Sequence, residues 1–255
     1  MLRNVRIEVS YDGSLFHGWQ RQDGFDSVQA AIEDGLAELL DTVVVIHGAG
    51  RTDTGVHGLR QVAHFHVDTR LDDDRLKHAL NAHLPAGVVV RAAETCADDF
   101  HARFDARGKR YGYLVQTTRH RPVIGPQYVH WEPVALDFHA MRAAAACMVG
   151  EMDFAAFGNT GSPRKTTVRR VTHVRIVRRR ERFAVVVQGN GFLYNMVRTM
   201  AGTLLAVGKG RMTPGDVDAA LEARDRKLAG PTAPARGLTL LRVLYEGPTF
   251  RGVRR

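Results

Sequence analysis

Apolar residues occupy every second position in Val5-Arg6-Ile7-Glu8-Val9, the period of a strand with one buried face. Residues 12–26 break that period with Gly and Asp around Phe16 and Trp19, which predicts an ordered loop. A 3.6-residue period then sets Val28, Ile32, Leu36 and Leu39 on one face of a helix over 27–40, with Asp26 or Ser27 as its cap. Val43–Ile46 reads as a short apolar strand. In Leu59–Val67 the residues Val62, His64 and His66 alternate with Ala63, Phe65 and Val67, a second strand. A helix over 73–83 carries acids in its first turn, where the dipole favours them, and Pro85 and Gly87 stop it before a strand at Val88–Ala93. The order is β-α-β-β-α-β, the split βαβ arrangement of ferredoxin-like domains.

The second half repeats that order. Tyr111, Tyr113 and Val115 alternate in a strand, and a helix runs from Asp137 to Val149. Strands over 166–178 and 182–189 precede a long apolar helix over 192–207, a helix opened by Thr213-Pro214 and a closing strand at Leu238–Leu244. The expectation is an α+β chain of two ferredoxin-like (RRM-like) units, 1–105 and 106–255. Each would be a mainly antiparallel sheet with helices on one face.

Composition adds a constraint on partners. The 255 residues suffice to bury a core without disulfide or metal staples, and 25% charged with 44% hydrophobic residues excludes long disorder, collagen-like repeats and coiled coil. The net charge of +9 is unevenly placed. Residues 1–105 hold 10 Lys/Arg against 17 Asp/Glu, a net of −7, whereas residues 106–255 hold 26 against 10, a net of +16. Arg supplies 31 of the 36 cations, and its planar fork binds two phosphate oxygens at once. A polyanion, with nucleic acid first, is the implied partner. Cys96 and Cys147 are too few for a disulfide framework. Residues 1–25 carry no charged-then-apolar leader, so a cytoplasmic location is expected.

The most unusual stretch is Gly48-Ala-Gly-Arg-Thr-Asp-Thr-Gly-Val-His-Gly58, which joins two strands where a hairpin needs only about 2–5 residues. Asp53 lies at its centre, flanked by Arg51 and His57. An Asp beside Gly often does no more than bond its own turn, but this loop is longer and more polar than a turn requires. Asp53-Thr54-Gly55 also spells the tripeptide of aspartic proteases, where two loops share one proton. A single copy and a nearby Arg that favours the ionised form weigh against that reading. His57, His64 and His66 invite a metal, yet no Cys or Glu stands at ligand spacing around them, so no metal is expected. No Walker loop, dinucleotide glycine pattern or HExxH helix is present.

Phe100-His-Ala-Arg-Phe104 and Lys109-Arg-Tyr-Gly-Tyr113 mix rings and cations, a combination suited to stacking on bases while binding phosphates. A core-facing strand is expected to claim one of Tyr111 and Tyr113 but scarcely both. Within Gly191–Gly202 the lone cation Arg198 needs a carboxylate partner unless its head reaches solvent, and Asp53 is a candidate.

Tyr11-Asp-Gly, Phe16-His-Gly-Trp-Gln20, Gly48–Gly58, Phe100–Arg103, Arg110-Tyr111, Phe192–Arg198 and Ala229-Gly-Pro-Thr-Ala233 together resemble the tRNA pseudouridine synthase A family, over nearly the whole chain. Thr54 stands where that family most often has Ala, a departure that leaves the carboxylate unaffected. The resemblance implies the pseudouridine synthase fold and isomerisation of uridine to pseudouridine at positions 38, 39 and 40 of the tRNA anticodon stem-loop. It implies that Asp53 is the catalytic carboxylate, Tyr111 the stacking ring and proton acceptor, and Arg198 the ion-pair partner of Asp53. Arg51, Arg103 and Arg110 stand within the matching motifs and are expected to contact the RNA. A homodimer is implied as well. The reaction retains every atom and changes no oxidation state, so no cofactor is expected. The competing class is a non-catalytic binder built from two RRM-like units, against which no RNP run of the Gly-Phe-Gly-Phe type is found.

Overall fold

The computed structural model describes residues 2–159, 166–247 and 250. In chain order these form β1 (Leu2–Tyr11), α1 (Val28–Leu40), β2 (His47–Gly48), β3 (His57–Asp68), α2 (Asp73–His83), β4 (Val88–Thr95), β5 (Gly108–Gln116), β6 (His130–Trp131), α3 (Phe138–Cys147), β7 (Gly150–Asp153), β8 (Val168–Arg179), β9 (Arg182–Gly189), α4 (Met196–Gly208), α5 (Pro214–Ala223) and β10 (Leu238–Leu244). The class is α+β, as expected. The chain divides into two compact units: described residues up to Arg107 together with those from Leu240 onward, and Gly108–Thr239.

In the first unit the strands lie in the order β4-β1-β3-β10, with β2 beside β3. β1 is antiparallel to both neighbours, Val5 facing Phe65 and Ile7 facing Ala63 and Ala93. The period-2 pattern of β1 therefore puts Val5, Ile7, Val9 and Tyr11 on one face, and all four are buried. They share a core with Ile32 and Leu36 of α1 and with Leu76 and Leu80 of α2. Burying each such side chain stabilises by about 1.5–3 kcal/mol. Ser27 caps α1, its hydroxyl accepting from Ala30 N at 3.2 Å, and Asp72 caps α2 through Arg75 N at 2.8 Å.

Two expectations fail here for physical reasons. Val43–Ile46 joins no strand; Val44 and Ile46 are buried while Val43 is 86% and Val45 57% exposed. The alternation is real, but only His47 and Gly48 find a partner, opposite His64 and Ala63. In the second unit the apolar helix begins at Met196 rather than at 192, because Asn195 is left-handed at φ 60°. The short strands β6 and β7 were not anticipated.

In that second unit the strand order is β5-β9-β8-β7, with β6 parallel to β5. Tyr111 and Tyr113 are both buried, which corrects the expectation that the core takes one ring. Residues two apart on a strand share a face, so both rings point the same way. α4 is buried at nearly every position, and Thr213 opens α5 in a reciprocal capping box with Asp216.

The other face of the first unit's sheet is polar. Buried Glu8 lies 3.5 Å from Arg91 and 3.9 Å from Arg60, and desolvation raises its pKa despite those cations. Asn4 Nδ2 donates to the carbonyls of Ala97, Asp98 and Phe100 at 2.9–3.3 Å, tying residues 97–100 to β1. His64 Nδ1 accepts from Ala102 N at 3.1 Å, and its ring lies 4.6 Å from that of His101 and 5.2 Å from that of His47. Burial, followed by the charges of His101 and His47, pushes the pKa of His64 down to about 4. The unfolded chain accepts a proton near pH 6.5 that the folded chain refuses until about pH 4. The contribution of His64 is therefore intact above pH 6.5 and lost as pH falls toward 4. We expect the urea midpoint to drop across that window and His64→Asn, which keeps an acceptor but does not titrate, to flatten the decline. An equal decline in both proteins would contradict the assignment.

Candidate active site

The loop between β2 and β3 is held from its flanks. Gln61 Nε2 donates to Gly50 O at 2.8 Å, and Ala49 N donates to Val62 O at 2.8 Å. Thr52 is buried and fixed twice: its hydroxyl lies 2.8 Å from the Tyr11 hydroxyl, and its carbonyl accepts from Trp19 N at 3.0 Å. Burial raises the Tyr11 pKa, so the phenol stays protonated. Past Thr52, Asp53 O accepts from Val56 N at 3.1 Å and closes a turn in which Gly55 sits at φ 78°. The main chain of Asp53 thus makes the turn, and its side chain is half-buried. Beyond the turn, His57 Nδ1 accepts from Gly13 N at 3.0 Å and lies 3.2 Å from Asp12 Oδ1.

The fit of this loop explains two glycines in its neighbourhood. A Cβ on Gly13 would collide with the Val56 carbonyl, and a Cβ on Gly58 with the Tyr11 ring. The segment 11–19 and the loop 48–58 therefore meet backbone against backbone at Gly13 and ring against backbone at Gly58. His57 is engaged at Gly13, whereas His64 clusters with His47, His66 and His101. Among the described residues no group of three or more His, Cys, Asp or Glu is placed to hold a metal ion.

Arg51, two residues before Asp53, is exposed, and its Nε donates to Gln20 Oε1 at 2.9 Å. Arg103 is also exposed, its guanidinium 5.7 Å from the centre of the Phe104 ring. The turn that carries it is held by His101 Nδ1, which accepts from Arg103 N at 3.1 Å.

The second unit holds the other three expected residues. Tyr111 on β5 meets the edge of Phe192 with ring centres 5.4 Å apart. Arg198, in the first turn of α4, donates from Nε to Ala233 O at 2.8 Å and from Nη1 to Asn195 Oδ1 at 2.8 Å. Its half-buried head is thus bound by protein, which displaces the reading of a cation reaching solvent. The segment 192–195 touches both residues, Phe192 against Tyr111 and Asn195 against Arg198. Ala233 N also donates to Arg198 O at 3.1 Å, so the Ala229–Ala233 motif serves to seat this arginine. Arg110 is exposed, with Nε and Nη2 both on Gln188 Oε1 at 2.9 and 2.6 Å.

Sequence reasoning missed Asn195 and Ala233 as partners of Arg198, and it missed Tyr11 and Thr52 as the brace beside Asp53. Tyr11-Asp-Gly was visible as a motif, but a strand-end tyrosine carries no sign of which loop it will meet.

A sequence profile of the family described as tRNA pseudouridine synthase matches residues 7–105 and 144–246. The tRNA pseudouridine synthase A of Acetivibrio thermocellus is 41% identical over 244 residues, 96% of this chain and 100% of that protein. Those of Caldicellulosiruptor bescii and Geobacillus kaustophilus are 39% and 40% identical, each over 96% of this chain and over 100% and 96% of their own lengths. A solved Cbf5-Nop10-Gar1 complex aligns with 93% of this chain and 58% of its own at TM-score 0.38 and 12% identity, too distant to add to these. With two profile segments spanning most of the chain and relatives matched along their whole length, the chain belongs to the tRNA pseudouridine synthase family.

Proposed function

We propose that this chain converts uridine to pseudouridine at positions 38, 39 and 40 of the tRNA anticodon stem-loop, with Asp53 as the catalytic carboxylate. The observation that carries the reading is the braced Thr52-Asp53 segment: a half-buried carboxylate on a loop whose backbone is held on both sides. The chemistry needs such a group. The base must leave C1′ of ribose, turn, and rejoin through C5. Attack at the ribose, attack at the base and removal of a ribose proton all require an ionised carboxylate.

In this reading Arg198 pairs with Asp53 and offsets the cost of holding its charge out of water. The bonds from Arg198 to Ala233 and Asn195 support that role by fixing its head. Tyr111 stacks on the freed uracil and takes up the C5 proton. The target base is turned out of its stack at a cost of a few kcal/mol, which contacts to the RNA backbone offset.

The second unit is suited to those contacts. In the β8–β9 hairpin Arg179 lies directly opposite Arg182, and Arg175 stands on the same face as Arg179 by strand alternation. Like charges in direct register repel, so this pairing favours a surface that meets a polyanion. Arg164 and Lys165, also in this basic stretch, lie outside the described residues. No described helix is long and apolar enough to cross a membrane. We place the enzyme in the cytoplasm as a homodimer.

Two outcomes are expected. Asp53→Asn abolishes tritium release from 5-tritiated uridine in tRNA, while tRNA affinity stays within a few-fold; release at the wild-type rate would remove Asp53 from the chemistry, and a non-catalytic binder shows no release at all. Second, tRNA affinity falls steeply with salt. Arg175→Gln with Arg179→Gln should lower the slope of log affinity against log salt by about 1–2, since each phosphate contact contributes roughly 0.7–0.9. Arg70→Gln with Arg75→Gln in the acidic unit should leave the slope unchanged, and an equal effect would contradict this division of labour.

A further inference from the structure

Gln20 belongs to none of the roles above, yet it ends a chain of hydrogen bonds whose direction is fixed at the far end. Glu33 on α1 is buried, and its carboxylate is a pure acceptor. Its Oε1 accepts from Ile46 N at 3.1 Å and from Gln29 Nε2 at 2.9 Å, and its Oε2 pairs with Arg21 Nε at 2.6 Å. The amide nitrogen of Gln29, itself buried, must therefore face Glu33, and its second donor contact to Ile46 O at 3.3 Å agrees.

That orientation turns Gln29 Oε1 the other way. There it accepts from Arg21 N at 3.1 Å, a backbone donor that independently demands an oxygen, and from Gln20 Nε2 at 2.7 Å. Gln20 thus has its nitrogen committed, and its Oε1 is left to accept from Arg51 Nε at 2.9 Å. A flip of either amide would set donor against donor or acceptor against acceptor at every link. The buried carboxylate so dictates which atom of Gln20 faces Arg51. Held through Nε alone, Arg51 keeps both terminal nitrogens without a hydrogen bond among the described residues, at an exposed position two residues from Asp53.

We propose that Gln20 is a positioning residue: through the Gln29–Glu33 relay it aims the Arg51 guanidinium so that its terminal nitrogens grip an RNA phosphate beside the uridine on which Asp53 acts. The proposal rests on the reading of Asp53 and tRNA given above. A guanidinium held at Nε presents its two terminal nitrogens as a fork, the geometry that suits phosphate. Lysine at the same place would carry the charge without the handle.

The test compares Gln20→Met, Arg51→Ala, Arg51→Lys and the double variant Gln20→Met/Arg51→Ala in full-length protein. The readouts are kcat/KM for pseudouridine formation on a tRNA transcript and the urea midpoint. Gln20→Met should lose about tenfold in kcat/KM, the scale of one hydrogen bond to a charged group. The double variant should be no worse than Arg51→Ala, since the relay then has nothing to aim. Arg51→Lys, at an exposed site where folding is not at stake, should lose as much as Gln20→Met. Additive losses, a Gln20→Met variant as active as wild type, or full activity in Arg51→Lys would each overturn the relay. Full activity in Arg51→Ala would overturn it by removing Arg51 from RNA binding. Absence of pseudouridine with wild-type protein would instead overturn the functional reading itself, and the proposal with it.

Discussion

In the proposed reading, the placement of the Asp53 carboxylate depends on how Thr52 is held. A carboxylate that must meet one sugar or base atom has to be placed within about 0.5 Å, and a loop does not supply that by itself. Here the loop borrows rigidity from three neighbours. The buried Tyr11 hydroxyl fixes the Thr52 side chain, the Trp19 amide fixes its carbonyl, and the start of β3 closes the far side through His57 and Gly58. The sequence consequence is a set of small residues where backbones touch and a polar atom on a core tyrosine. Tyr11 is the last inward residue of β1, so the same alternation that builds the core delivers its hydroxyl to the loop.

A second layer is electrostatic. The first unit is acidic overall and buries Glu8 and Glu33, each beside arginines that partly compensate its charge. Such pairs in a low-dielectric setting are sensitive to the loss of one member, which makes them sources of orientation more than of stability. Glu33 illustrates this, since it ties α1 to the chain at Ile46 and to the residues that follow Trp19. The cationic excess lies in the second half of the sequence, and at the tip of the β8–β9 hairpin Arg179 faces Arg182 while Arg175 and Arg178 face the apolar Val186 and Phe183.

Much of this was legible in the residue pattern, and the failures have definite causes. The helix Asp73–His83 is bounded by an Asp cap on one side and Pro85 and Gly87 on the other, so both ends are written locally. The strand Leu238–Leu244 was legible from its apolar run alone. Val43–Ile46 has the right alternation, but pairing is a property of a neighbour and not of the segment. At 192–195 an apolar run continues through a left-handed Asn195, which hydrophobicity does not register. Around Asp53, loop length and glycine content marked the place. The buried amide and carboxylate of Gln29 and Glu33 did not stand out, because polar residues on a helix are ordinarily solvated.

The most direct test of the account is nucleotide-resolution mapping of pseudouridine in an unmodified tRNA transcript carrying uridines at 38, 39 and 40, after incubation with the wild-type protein and no added metal or cofactor. Pseudouridine is expected at those positions and at no other uridine of the transcript. A transcript left unmodified, or modified outside the anticodon arm, would contradict it.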